Sequence, residues 1–340
     1  MVGLCLVCGL ALSAAPAQWV QRPYHGWSDA LCIDNGSAEV VVVPSLGRIM
    51  RFAPSGGENF LWENPACLGR TRPDGDPNWF NAGGDKVWPA EQSAWPAVIG
   101  RGWPPDRVLD GAPWTAEVLP GPQLRLTSGI SSDYELRAER TLTLAADRAS
   151  LLIEQRFTKL AGPPAKVTIW NVSQTDDPER AWLPTGPVTT LPRGYHDFER
   201  PDLGNMERVG DHLLEIRRLP DASTKFGTDS DRGWVAALRH GVVFSQHYQR
   251  TPGDYPDHGC VAEAYTEMDA IAKMVELELL SPQATLSVGE SLTWTIEWRL
   301  TAAPNGLDRE QMRSWLGAQM TPLGWPYERH TTVNRRGTLY

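Results

Sequence analysis

Cysteine is scarce in this chain, with five in 340 residues, and two of these, Cys5 and Cys8, lie in the apolar N-terminal stretch. Cys32, Cys67 and Cys260 follow no zinc or redox spacing and read as structural; three thiols permit one disulfide and leave one over. Basic runs are missing too. Lys and Arg number 32 against 41 Asp and Glu, a net charge of −9. That balance argues against nucleic acid or an anionic membrane as partner. The seven histidines show neither H-x-x-x-H nor H-x-H spacing, so no metal site is signalled. No phosphate loop, dinucleotide fingerprint or G-x-S-x-G elbow occurs, and no cofactor is expected. Asp74 and Asp76 in PDGDP have the spacing of calcium ligands but no distal carboxylate at the required distance, so they read as a turn. Helical periodicity is confined to Leu307–Met320, where Met312, Trp315 and Leu316 recur at helical spacing behind Leu307 and Asp308.

The one long apolar run is MVGLCLVCGLALSAAPAQ at the start. It is too short to remain as a membrane span. With the Ala15-Pro16-Ala17 pattern it reads as a signal peptide over residues 1–17, although a basic leading segment is lacking. A periplasmic or extracellular protein, free of the membrane after cleavage, is the expectation.

Strand patterns fill the rest. Ala38–Pro44, Trp114–Gly121, Gln123–Ile130, Tyr134–Leu144, Ser150–Thr158, Lys166–Gln174, Trp234–His240 and Ser291–Leu300 alternate apolar and polar residues and are rich in β-branched and aromatic types. Pro, Gly and Asp clusters punctuate them. Many short strands with almost no helix predict an all-β fold, a large two-sheet antiparallel β-sandwich with a short C-terminal helix. No linker or repeat divides the chain, so residues 18–303 are read as one sandwich domain and 304–340 as helix and tail.

Tryptophan is abundant, 15 residues, six of which (Trp62, Trp79, Trp88, Trp95, Trp103, Trp114) fall close together. Such rings pack cores and also stack on the apolar faces of sugars. Within the same window lies NAGGDKVWPAEQ, Asn81–Gln92, where two glycines adjoin Asp85, Lys86, Trp88 and Glu91. Glycines there would let backbone approach a ligand. An Asp–Lys–Glu group can supply acid and base, or lock a loop through salt bridges. In MVELELLSP, Val275, Leu277 and Leu279 share one strand face and Met274, Glu276, Glu278 and Leu280 the other. Glu263, Tyr265 and Glu267 repeat the pattern. Carboxylates on one face mark either a solvated sheet or a ligand-facing surface.

Ala262–Leu300, with its acidic strand, Pro282, the L-x-x-G-E-S pattern and a closing W-x-L, resembles the C-terminal end of the galactose-mutarotase-like superfamily. GGDKVWP (Gly83–Pro89), NFLWENP (Asn59–Pro65) and IWNVSQT (Ile169–Thr175) are similar to one bacterial family within it, known as domain of unknown function 4380. The resemblance implies a supersandwich with a carbohydrate site on a concave face. Mutarotases exchange sugar anomers with a carboxylate base and a histidine acid. Glu276 is the nearest counterpart of that base, and Glu278 the second. Neither enzyme histidine has a counterpart here: Trp170–Gln174 holds none, and Ala82 stands before Gly83-Gly84.

The expected catalytic residues are therefore Glu276, Glu278 and Asp85. The expected sugar contacts are Lys86, Trp88, Glu91, Trp103, Asn171, Gln174, Lys225 and His247. A mono- or oligosaccharide is the expected partner, with epimerase-like acid–base chemistry, plain binding as a carbohydrate module, or a relation to polysaccharide hydrolases and lyases as the alternatives. On this reading, losing Asp85 or Glu276 removes ligand binding and leaves stability intact.

Overall fold

Period-two alternation builds nearly the whole molecule. The computed structural model describes residues 17–198, 203–320 and 331–334, so all of the expected signal segment but Ala17 lies outside the described residues. Two large antiparallel sheets form. The first runs Val20–Gln21, Leu31–Asp34, Ala38–Val43, Arg48–Pro54, Asp85–Trp88, Trp170–Asp176, Met274–Leu280, Ala262–Thr266, Thr224–Thr228, His196–Asp197. The second runs Met206–Arg208, Leu213–Ile216, Arg180–Pro184, Trp234–Arg239, Val242–Tyr248, Ser291–Ala302, Ser150–Lys159, Leu136–Leu144, Gln123–Ile130, Thr115–Leu119, with Thr331–Asn334 also pairing Ser291–Ala302.

Alternate residues of each strand enter one shared core. Leu142, Leu144, Leu151, Ile153, Leu292, Trp294, Ile296 and Trp298 from the second sheet are buried against Val40, Phe52, Val275, Leu277 and Leu279 from the first. Each such burial contributes about 1.5–3 kcal/mol. The expected all-β two-sheet sandwich is the fold observed.

One local reading changes. Lys166–Gln174 is two strands, Ala165–Val167 and Trp170–Asp176. The break follows its partner hairpin, where Pro282 has no N–H to continue a ladder. The helix expected over Leu307–Met320 is present. Arg309–Gln319 forms a helix with a capping box, in which Gln311 N–H donates to the Asp308 carboxylate. Met312 and Leu316 pack it on Trp182, Trp234 and Val243 of the second sheet, and Thr331–Asn334 then joins that sheet. Cys32, Cys67 and Cys260 are all buried free thiols, so no disulfide links them.

The core between the sheets is also crossed by polar groups. Arg140 of the second sheet forms an ion pair with Asp85 of the first, and both side chains are completely buried. Asp85 Oδ2 also accepts from Asn171 Nδ2 at 2.8 Å and Ser173 Oγ at 2.6 Å. Gln246 Nε2 in turn donates to Ser173 Oγ at 2.6 Å. Asp85 and Asn171 therefore stand where sheet meets sheet, out of reach of any ligand. The expectation of a catalytic Asp85 and a sugar-binding Asn171 is corrected on that ground.

His247 is corrected likewise. Its strand sends Phe244 and Tyr248 into the core and Gln246 to the polar network. Strand alternation then puts His247 on the far side of the second sheet, bonded to Ser245 Oγ at 2.9 Å and opposite Glu297. Burial, with the nearby Arg299 charge, pushes its pKa down to about 3.

Two expectations follow. Asp85→Ala leaves the buried Arg140 charge alone and should lower the unfolding free energy by about 3–5 kcal/mol, read as a fall in the urea midpoint. His247 titrates near 6.5 once unfolded and near 3 when folded. Between those values the unfolded chain holds the extra proton, so the folded state loses stability as pH falls through the window. His247→Gln should flatten the stability–pH curve there by up to about 1.4 kcal/mol per pH unit, measured by urea titration from pH 7 to pH 4.

Candidate functional site

Strand parity decides which side chains leave the core of the first sheet. With Asp85 and Val87 turned inward, Lys86 and Trp88 turn outward. With Asn171 and Ser173 inward, Trp170 and Gln174 turn outward. The neighbouring strands follow in register. Gln174 and Tyr265 lie opposite Glu276, and Glu263 lies opposite Glu278. Lys225 lies opposite Tyr265. One face thus gathers two lysines, three glutamates, a glutamine and a tyrosine.

Tryptophans wall this face. The chain between the Asp85–Trp88 and Thr115–Leu119 strands brings Trp95 and Trp103 over it. Ring centroids lie 4.9 Å apart for Trp88 and Trp170, 4.7 Å for Trp79 and Trp103, and 5.9 Å for Trp95 and Trp103. Trp103 remains 45% exposed. Between them opens a cleft of about 280 Å³ whose lining includes Trp79, Trp88, Gln92, Trp103, Trp170, Lys225, Tyr265, Glu267, Glu276 and Glu278.

The charges on its floor form two groups. In the first, Glu276 Oε1 accepts from Gln174 Nε2 at 2.8 Å and from Lys86 Nζ at 3.3 Å. Lys86 is enclosed, with its ammonium 5.6 and 5.1 Å from the ring centres of Trp79 and Trp88. Burial pushes the Lys86 pKa down, and Glu276 only partly offsets it. In the second, Lys225 Nζ lies 2.7 Å from Glu263 Oε2 and 3.0 Å from Glu278 Oε2, and over the Trp170 ring. Trp170 Nε1 also donates to Glu278 at 2.7 Å. Burial alone would lower the Lys225 pKa, but the flanking carboxylates hold it well above the usual value. Burial raises Glu263 and Glu278. Charge-assisted bonds of this kind are strong in a poorly hydrated site.

Support for the walls comes from a second buried ion pair, Arg48–Asp110. Trp79 Nε1 donates to Asp110, and Arg48 Nη1 donates to Gly83 O at 2.8 Å. Gly83 and Gly84 have φ of +93° and +73°. A Cβ would stand 2.3 Å from Trp62 O at Gly83 and 2.4 Å from Ile49 O at Gly84. These glycines serve close packing of chain on chain, which replaces the expected approach of backbone to ligand.

Of the residues singled out in the sequence, Glu276, Glu278, Trp88, Trp103 and Lys225 line the cleft, and Lys86 and Gln174 lie enclosed behind the lining, bonded to Glu276. The cleft does not gather Asp85, Asn171, His247 or Glu91. Glu91 does not line the cleft; it accepts from Gln283 Nε2 at 3.1 Å. Trp79, Trp170, Tyr265 and Glu267 join the lining without having been chosen. The alternation in AEAYTE carried a signal for Tyr265 and Glu267, and Trp170 was one position from the residue chosen. Trp79 belongs to the cluster of six tryptophans, but nothing in that cluster separates it from the five others, since a loop places it.

The fold has solved counterparts. The chain is similar to a galactose mutarotase-like protein from Lactobacillus casei (TM-score 0.52, 10% identity, covering 80% of this chain and 100% of that one). It is similar to a galactose mutarotase related enzyme from Lactobacillus acidophilus (TM-score 0.53, 8% identity, 82% and 99% covered). A putative mutarotase from Salmonella typhimurium is similar too (TM-score 0.53, 11% identity, 84% and 94% covered). At these identities the likeness shows the shared fold alone. No curated protein sequence matches the chain. A family model described as Domain of unknown function (DUF4380) matches residues 29–301. With most of its length accounted for by that model, the chain belongs to the DUF4380 family.

Proposed function

We propose that the tryptophan-walled cleft binds a sugar and that Glu276 and Lys86 carry out acid–base chemistry on it, exchanging anomers. The observation that carries this reading is the Glu276–Lys86 pair, 3.3 Å apart, in which Glu276 lines the cleft and Lys86 is enclosed just behind it against Trp79 and Trp88. Indole faces match the apolar faces of a sugar ring. The cleft is at the lower end of ligand sites, about 300–1,000 Å³, which suits one or two sugar rings. Solved proteins of this fold include a galactose mutarotase-like protein and a galactose mutarotase related enzyme, which supports the sugar class.

The chemistry needs one base and one acid. Glu276 accepts the proton of the anomeric hydroxyl. The Lys86 ammonium, made more acidic by burial, gives a proton to the ring oxygen. The ring opens to the free aldehyde, and the steps reverse on its other face. Lys86 fills the role for which the described cleft lining offers no histidine. Glu276 and Glu278 sit side by side on one strand, and Glu278 is already closed in by Lys225 and Trp170. That arrangement favours anomer exchange over hydrolysis by two carboxylates facing each other across a sugar.

Plain binding is the second reading. It is favoured by the pairing of Lys86 with Glu276 and of Lys225 with Glu263 and Glu278, which engages both lysines in ion pairs within the protein. We also propose secretion, on the apolar run and Ala15-Pro16-Ala17. Trp19, buried in the core, supports a fold that begins just after that pattern.

Three outcomes are expected. In a thermal-shift panel of monosaccharides, at least one raises the melting temperature. With that sugar, nuclear magnetic resonance exchange measurements should show anomer exchange, and Glu276→Gln should slow it by about 10²–10⁴-fold while the sugar still raises the melting temperature. Binding without exchange in the wild type would establish the second reading. The intact mass of protein exported from a bacterial host should correspond to a chain starting at Gln18; a retained Met1 would end the secretion proposal.

A further inference from the structure

The cleft has more negative than positive side chains, and its cations are already committed. Lys225 is bound to two carboxylates, and Lys86 is only 1% exposed and shared between Glu276 and two indoles. Among the described residues of the cleft, an arriving anion would find no free ammonium. It would meet Glu276, whose side chain is 13% exposed, and Glu267 at the rim, half-buried.

Arg218 Nη1 donates to the Glu267 backbone carbonyl at 3.4 Å, but the Glu267 carboxylate itself is held by neutral donors. It accepts from Tyr265 O–H at 3.1 Å and from the Asp269 N–H at 3.1 Å. Its charge is therefore not neutralised by any described lysine or arginine within ion-pair distance. A second observation lies deeper. Gln174 is fully buried beside Glu276, and its Oε1 has no partner among the described residues. The bond from Nε2 to the Glu276 carboxylate fixes which end of the amide is which, because a carboxylate accepts only from the nitrogen. The free end is thus an acceptor. The rim asks for a donor from a ligand, and just behind the lining Gln174 holds a second unpaired acceptor. The walls agree: indole faces attract cations, as those of Trp79, Trp88 and Trp170 already do for the two lysines.

We propose that the ligand is an amino sugar carrying a free ammonium group, which is held between the Glu267 carboxylate and the aromatic wall, and that acidic sugars are rejected. This deepens the sugar-binding reading and rests on it for the ring. The ammonium supplies donors where the site has unpaired acceptors, and its charge is opposite to that of the rim. A uronate would place like charge against Glu267 and Glu276.

The test compares D-glucosamine, D-galactosamine, D-glucose, D-galactose, N-acetyl-D-glucosamine and D-glucuronate by calorimetric titration of the full chain. Tetramethylammonium serves as a cation without a sugar ring. The expected result is at least tenfold tighter binding of one amino sugar than of its neutral parent or its acetylated form, with glucuronate weakest. The preference should shrink between 50 and 500 mM salt, as expected for an exposed charge pair (roughly a threefold shorter screening length). In Glu267→Gln the ratio of amino to neutral sugar should fall towards one. Equal or tighter binding of neutral sugars or glucuronate overturns the inference and leaves the sugar reading standing. Binding of tetramethylammonium with no binding of any sugar keeps the cation site and removes the sugar reading. No binding by any of them removes both.

Discussion

The fold rests on a buried charge pair between its two sheets. Arg140 and Asp85 are completely enclosed, and burying either charge alone would cost several kcal/mol. Each is tolerable only if the other stands opposite, so the pair ties the register of one sheet to that of the other. Asn171, Ser173 and Gln246 extend the tie through hydrogen bonds. A purely apolar interface could slide; one holding a buried ion pair has a single position in which its charges are met. Conformational specificity of this kind is a physical consequence of placing polar groups in low dielectric.

The cleft is a by-product of that registration. Once Asp85 turns inward to Arg140, Lys86 must turn outward, because successive strand residues point to opposite faces. Once Asn171 and Ser173 turn inward, Trp170 and Gln174 face Glu276 and Glu278 from the next strand. The same alternation that builds the core therefore assembles the floor of the site. The Arg48–Asp110 pair does the corresponding work for the walls, anchoring Trp79 and the Gly83 carbonyl. Stability and site share their parts, which explains why charged residues in this region divide so sharply into buried ties and cleft lining.

Within the cleft, the two lysines sit in different fields. Lys225 lies between two carboxylates and keeps its proton more firmly than usual; Lys86 has one partner and two indoles and holds its proton less firmly. Of the two, Lys86 is the one that burial makes the readier proton donor. An anomerase needs an acid of that kind, and a buried lysine is a physically sound substitute for an imidazole. That argument supports the proposed chemistry and depends on the environments of the two side chains, not on their identity.

The sequence by itself determined the all-β class and most strand positions, because inward and outward residues alternate with period two over long stretches such as Leu136–Leu144 and Ser291–Ala302. It also marked the acidic strand, since Glu276 and Glu278 differ from their apolar neighbours on either side. What it left open was which face of a strand meets the other sheet. For the short Asp85–Trp88 segment both parities are polar on one residue and aromatic or aliphatic on the other, and nothing local separates them. Asp85, Asn171 and His247 are hard to place for that reason: each is polar, Asp85 and Asn171 satisfy each other 86 residues apart in the chain, and His247 lies on the opposite side of the second sheet. The loop-borne Trp79 joined the cleft through Asp110, a contact between distant positions. Burial and pairing are properties of the assembled sheets, and only the tertiary structure decided them.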